Sequence, residues 1–258
     1  MRLLVHNQKG GVGKTTTAAN LGAALLHEGL ADAVTLVDLD PQMHLTAMLS
    51  PQGAPPGATA SDWLVGKNAP GVPVPSEPGL RLVPGDVQNR AGKPAALPDA
   101  PASGGWIIVD SAPGWTPLAQ DLCRWADLIL CPFEPDFLGL SGVSRLLTRL
   151  DGIGVGRTRI RFLPCRHNPR LALHRDVCAR LADRFGPALL LPLTIRTTIR
   201  IAEAPGFGCS VLEHAPGSTG CKDYRRLARA IAPAGPTNGL TQAQAPQDGQ
   251  PPNGRTAA

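Results

Sequence analysis

Lys9-Gly10-Gly11-Val12-Gly13-Lys14-Thr15-Thr16 is the stretch on which the reading of this chain turns. It follows the short apolar run Leu3-Leu4-Val5 and opens Thr15 to Leu26, a segment with few helix breakers, so the local order is strand, glycine-rich loop, helix. A loop in that place can wrap backbone N–H groups around phosphate oxygens. Glycines let the backbone approach closely, and the helix N-terminus adds a favourable dipole. Gly10, Gly11 and Gly13 meet this need, Lys14 is placed to reach β- and γ-phosphates, and the Thr15 hydroxyl is placed to ligate Mg²⁺. The usual spacing G-x-x-x-x-G-K-[ST] is not met. Gln8 stands where its first glycine belongs, and a second lysine, Lys9, follows.

Outward from the loop, Ala33 to Asp38, Ile107 to Val109 and Leu128 to Cys131 are unalternated apolar runs of the kind buried on both faces of a sheet. Ile160 to Leu163 and Leu189 to Leu191 read as further strands. Leu138 to Leu150, Leu171 to Arg184 and Lys222 to Ile231 carry apolar residues at helical spacing. The alternation predicts an α/β fold, a mostly parallel sheet with helices on both faces. Residues 1–232 are expected to form one domain. Within it Pro51 to Gly105, rich in Pro, Gly and Ala, reads as a long, partly ordered excursion, with Asp62 to Val65 and Leu80 to Val83 its main buried pieces. Residues 233–258, almost without apolar side chains, read as a disordered tail.

The net charge of +5 is unevenly spread. Residues 1–151 hold 10 Lys/Arg against 14 Asp/Glu, whereas 152–258 hold 15 against 6. A basic C-terminal half suits nucleic acid or anionic lipid, and equally an Arg-rich solvated face. Six cysteines without a C-x-x-C pair suggest neither a zinc site nor a disulfide framework. No uncharged apolar run reaches membrane-spanning length, no signal peptide is readable, and the tail offers no amphipathic helix, so a cytoplasmic protein is expected.

Phosphate chemistry also needs carboxylates at neighbouring strand ends, to hold the metal's hydration shell and orient water. Val37-Asp38-Leu39-Asp40-Pro41-Gln42 and Trp106-Ile107-Ile108-Val109-Asp110-Ser111 supply them. Either cluster alone would more often be a helix cap or a turn.

K-G-G-V-G-K-T-T resembles the deviant Walker A motif of the ParA/MinD family of P-loop ATPases, and D-L-D-P-Q and the W-I-I-V-D strand resemble that family's next two motifs. Ala126 to Pro132, Thr198 to Pro205, Ser218 to Ile231 and, more weakly, Leu80 to Gly85 extend the likeness over about residues 1–232. The resemblance implies ATP along Lys9, Gly10, Gly11, Val12, Gly13, Lys14, Thr15 and Thr16, with Pro205 near adenine. It implies Mg²⁺ held by Thr15 and, through water, by Asp38 and Asp110, with Lys9, Lys14 and Asp40 in catalysis. Lys9 would act across an ATP-dependent homodimer, much as an arginine finger does. The ParA branch further implies nonspecific DNA binding through Arg200 and Arg229, beside which Arg225 and Arg226 lie, with nucleoid association and a ParB-like or other stimulating adaptor.

Met43-His44 departs from the family's Gly-Asn, which puts the shape of the loop beside the γ-phosphate in question. His44 reads as a helix-start residue. The leading function is a ParA-like ATPase that partitions or positions a plasmid, chromosome or protein assembly. The alternatives are a MinD-like membrane-associated regulator of division or flagellar placement, and a metabolic enzyme on the same scaffold.

Overall fold

The computed structural model of the chain describes residues 1–53, 56–86, 97–99 and 104–232. Its strands are β1 (Arg2–Val5), β2 (Ala33–Leu39), β3 (Val72–Pro73), β4 (Leu80–Val83), β5 (Gly105–Ser111), β6 (Leu128–Phe133) and β7 (Ile160–Pro164). Its helices are α1 (Lys14–His27), α2 (His44–Leu49), α3 (Ala60–Leu64), α4 (Pro117–Trp125), α5 (Phe137–Gly152), α6 (Ala172–Leu189), α7 (Ile199–Glu203), α8 (Val211–His214) and α9 (Thr219–Ile231). Among the described residues the strands form one seven-stranded sheet in the order β3-β4-β2-β5-β1-β6-β7, parallel except for the short edge strand β3.

The unalternated apolar runs are explained by burial on both sides. Leu3, Val5, Leu36, Ile108 and Leu130 point into a core shared with α1, α8 and α9. Leu4, Val37, Val109, Ile129 and Phe133 point into a second core shared with α3, α4, α5 and α6. Successive residues of a strand face opposite sides, so a strand sandwiched between helices needs apolar side chains at every position. Each fully buried Leu or Ile contributes roughly 1.5–3 kcal/mol relative to exposure.

Three expectations change. Leu189 to Leu191 is not a strand: Leu190 makes one isolated bridge to Phe162, Leu191 N–H donates to the Phe162 carbonyl at 3.0 Å, and Pro192, lacking an N–H, breaks the ladder. The helix expected to end at Arg184 continues to Leu189, but across a break at Gly186 (φ 65°) before Pro187. The Pro51 to Gly105 excursion holds more of the sheet than expected, since Leu80 to Val83 is a parallel strand beside β2. The tail, 233–258, lies outside the described residues.

Candidate active site

Parallel pairing gathers the functional residues at one end of the sheet. Asp110 is in register with Asp38 on β2 and with Val5 on β1, so two carboxylates and the start of the glycine loop sit side by side at the carboxyl ends of three strands. Such ends are where ligands bind in this architecture. Gly11 (φ 73°) and Gly13 (φ 93°) take left-handed backbone that side chains disfavour, and Gly13 caps α1, whose first turn carries no acidic residue to compete with an anion.

A cleft of about 740 Å³ opens over this end. Gly10, Gly11, Gly13, Lys14, Thr15, Thr16 and Asp40 line it, together with Ile201, Pro205 and Tyr224. Of the expected nucleotide residues, Val12 is buried beneath the loop rather than lining the cleft. Lys14 is buried and Nζ donates to the Lys9 carbonyl at 3.3 Å; burial pulls its pKa down, with Asp110 and Asp40 opposing. Lys9 lies at the surface side of the loop, where Nζ pairs with Asp136 Oδ2 at 3.1 Å. Asp136 is also the N-cap of α5, accepting from Gly139 N–H. Phe137 and Leu138, 70% and 67% exposed, follow directly.

The Thr15 hydroxyl donates to Asp110 Oδ2 at 2.6 Å. Asp110 Oδ1 is buried without a hydrogen-bond partner among the described residues, and burial pushes the carboxyl up to about 8, against the pull of Thr15. Lys14 only partly offsets the cost of burying this carboxyl, and a carboxyl joined to a hydroxyl at the mouth of a phosphate loop is a donor set suited to a hard divalent cation such as Mg²⁺. Asp38 is raised as well, chiefly by burial. It accepts from Thr46 N–H (2.8 Å), Thr46 Oγ1 (2.6 Å) and Asp40 N–H (3.2 Å), and so also shapes the turn into α2. Asp40 accepts from Gln42 N–H at 3.0 Å, and its side chain remains on the cleft.

Met43, which stands where the resembled family pattern has glycine, holds φ 53° and ψ 34°, the left-handed conformation a glycine would favour. His44 starts α2 and is exposed on the cleft rim. Behind Asp110, the Ser111 hydroxyl donates to the Val5 carbonyl (3.0 Å), so the His6 ring donates from Nδ1 to Ser111 (2.8 Å). Burial lowers the His6 pKa to about 4, which keeps the ring neutral.

The basic residues divide. Arg225 and Arg229 both turn toward Glu28 at the end of α1: Arg229 hydrogen-bonds its carboxylate, and Arg225 Nε lies 3.5 Å from Oε1. Arg200 pairs with Glu203 at 2.8 Å. Arg226, one residue round the helix, is exposed and borders a separate groove. Sequence reasoning gave no role to Asp136, to Arg196, whose guanidinium grips buried Asp223 at 2.9 and 2.6 Å, or to Arg166. No local spacing marks them. Only a position just past a strand, as at Arg166, could have drawn notice.

The profile of the CobQ/CobB/MinD/ParA nucleotide binding domain matches residues 3–211. This chain belongs to that family. Within the family it resembles the chromosome-partitioning ATPase Soj of Thermus thermophilus, at 35% identity over 89% of this chain and 94% of the relative. Among solved structures it resembles the cobyrinic acid a,c-diamide synthase of Mycobacterium smegmatis with a bound ATP analogue and magnesium, at 27% identity and TM-score 0.68 over 89% of this chain and 93% of that one. Its fold is also that of apo McdA from Cyanothece, at 21% identity and TM-score 0.70 over 88% and 97%. The family is one of P-loop ATPases, related to ParA and Soj partition proteins. No helix among the described residues is long and apolar enough to cross a membrane.

Proposed function

We propose that this chain is a ParA/Soj-type ATPase that binds Mg-ATP in the 740 Å³ cleft, dimerises through the loop face, and as a dimer holds DNA without sequence preference to position a cargo. The observation that carries it is the convergence of Lys14, Thr15 and the unpartnered Asp110 oxygen at the foot of a glycine loop. The Gly10 to Thr16 backbone and Lys14 hold the phosphates, and Pro205 and Tyr224 border the same cleft. Thr15 would hold Mg²⁺, with Asp110 and Asp38 toward its hydration shell, and the ion would supply neutralisation of phosphate charge. Asp40 orients the attacking water, which displaces ADP and releases phosphate.

Lys9 supports the dimer. It lies on the outer side of the loop, with exposed Phe137 and Leu138 following its partner Asp136, so a lysine and an apolar patch share one face. In a face-to-face pair, each Lys9 would exchange Asp136 for the other copy's nucleotide. A stimulating adaptor of the ParB kind would then return the dimer to monomers, and the site of action would be the nucleoid.

The test is nucleotide binding, light scattering after gel filtration, and phosphate release on purified variants. Lys14→Ala should lose ATP binding. Lys9→Ala should retain binding but fail to dimerise or turn over, and Asp40→Ala should accumulate as an ATP-bound dimer. Normal dimerisation and turnover by Lys9→Ala would sink the cross-subunit role, and sedimentation with liposomes but not with DNA would sink the DNA reading.

A further inference from the structure

Past the end of β7, Arg166 is one of two non-glycine residues with left-handed backbone among the described residues, at φ 52°. Such a conformation costs a side-chain-bearing residue about 1–2 kcal/mol and persists where surrounding structure imposes it, often beside a functional site. Here it turns the side chain back over the glycine loop. Arg166 lines the cleft, and its Nη1 donates to the Gly11 carbonyl at 3.1 Å. The neighbouring Cys165 meets the helix that follows the loop, its Sγ lying 3.9 Å from Thr17 Oγ1.

The guanidinium is only loosely ion-paired. Glu134 Oε2 lies 3.9 Å away, beyond hydrogen-bond distance, and the Arg166 side chain is 59% exposed. The other arginine on the cleft, Arg196, is locked in two short hydrogen bonds to Asp223. A neutral carbonyl is a weak partner for a guanidinium, whose planar fork matches phosphate oxygens far better.

We infer that Arg166 is a phosphate-contacting residue of the cleft, a cation supplied in cis that exchanges the Gly11 carbonyl for an oxygen of the nucleotide's polyphosphate. The inference rests on the nucleotide reading above. It adds a third cation to Lys14 and Lys9, one that needs no second copy of the chain.

Arg166→Gly tests it cleanly, because glycine adopts the left-handed backbone without strain and removes only the side chain. Binding of ATP, ADP and GTP is measured by competition with a fluorescent nucleotide at low salt, alongside melting of the nucleotide-free protein. Arg166→Gly is expected to weaken all three nucleotides by about tenfold or more. The ATP-to-GTP affinity ratio should not change, the nucleotide-free melting temperature should hold or rise, and Arg166→Lys should recover part of the loss.

Unchanged affinity in Arg166→Gly would overturn the inference. So would an altered ATP-to-GTP ratio, which marks a base contact, or a lowered melting temperature, which marks a structural role. Failure of the wild-type chain to bind any nucleotide would instead overturn the nucleotide reading itself.

Discussion

At the scale of single residues, Asp110 ties the chemistry to pH. An unfolded aspartate titrates near 3.8, whereas buried Asp110 keeps its proton to about 8. Between those values the unfolded chain is ionised at this position and the folded chain is not, so the nucleotide-free protein loses stability as pH rises from about 4 to about 8. Asp110→Asn should remove that loss, which thermal melts across the range will read. The same proton opposes a cation, so Mg-ATP affinity should rise between about pH 6.5 and 8.5 in the wild type, with a much flatter profile in Asp110→Asn. Met43 is a second residue whose effect is local. A Cβ on Gly85 would stand 2.9 Å from Met43 Cγ and 3.2 Å from Asp38 Cγ. Gly85→Ala should therefore cost about 1–3 kcal/mol in denaturant titration, and part of that cost should vanish in a Met43→Gly background, while additive effects would deny the contact.

At the scale of elements, α9 shows how a helix sorts its charges. Leu227, Ala228 and Ile231 are buried with Tyr224 against α1, and i, i+4 spacing brings Arg225 and Arg229 together onto Glu28. Their charge is partly neutralised, and Arg200 likewise has Glu203. Arg226 is therefore the freest of this helix's arginines for a phosphate backbone. Arg226→Glu should reduce ATP-dependent retention of duplex DNA on a filter more than Arg225→Glu does, and the reverse order would place the contact on the Glu28 side. Asp223 anchors the same helix: Arg196 N–H, Nε and Nη2 all donate to it, and it is 1% exposed. Asp223→Ala should cost about 1–2 kcal/mol, because three hydrogen bonds are lost while the guanidinium, 39% exposed, keeps part of its hydration.

At the scale of the whole molecule, ligand binding and assembly are linked by mass action. With Mg-ATP the melting temperature should rise with protein concentration, and without nucleotide it should not. A flat dependence in both conditions would deny the ATP dimer. If the dimer holds DNA through its basic half, retention should fall steeply with added salt. The parallel sheet, its two helical layers and the phosphate loop were legible in the chain itself, because runs such as Ile107 to Val109 and the Gly10 to Lys14 spacing are local patterns dictated by burial and by backbone reach. Asp38 and Asp110 were legible as strand-end carboxylates, but their side-by-side placement needed the strand order, in which β5 lies between β1 and β2. Leu189 to Leu191 misled because its composition suits a strand, whereas ladder formation also depends on the N–H that Pro192 lacks. The sequence by itself determined the fold and the place of the glycine loop between β1 and α1. Tertiary structure alone decided that Lys9 rests on Asp136, that Arg225 and Arg229 meet Glu28, and that Arg166 reaches Gly11, because these partners stand 127, 197, 201 and 155 residues apart and only packing brings them together.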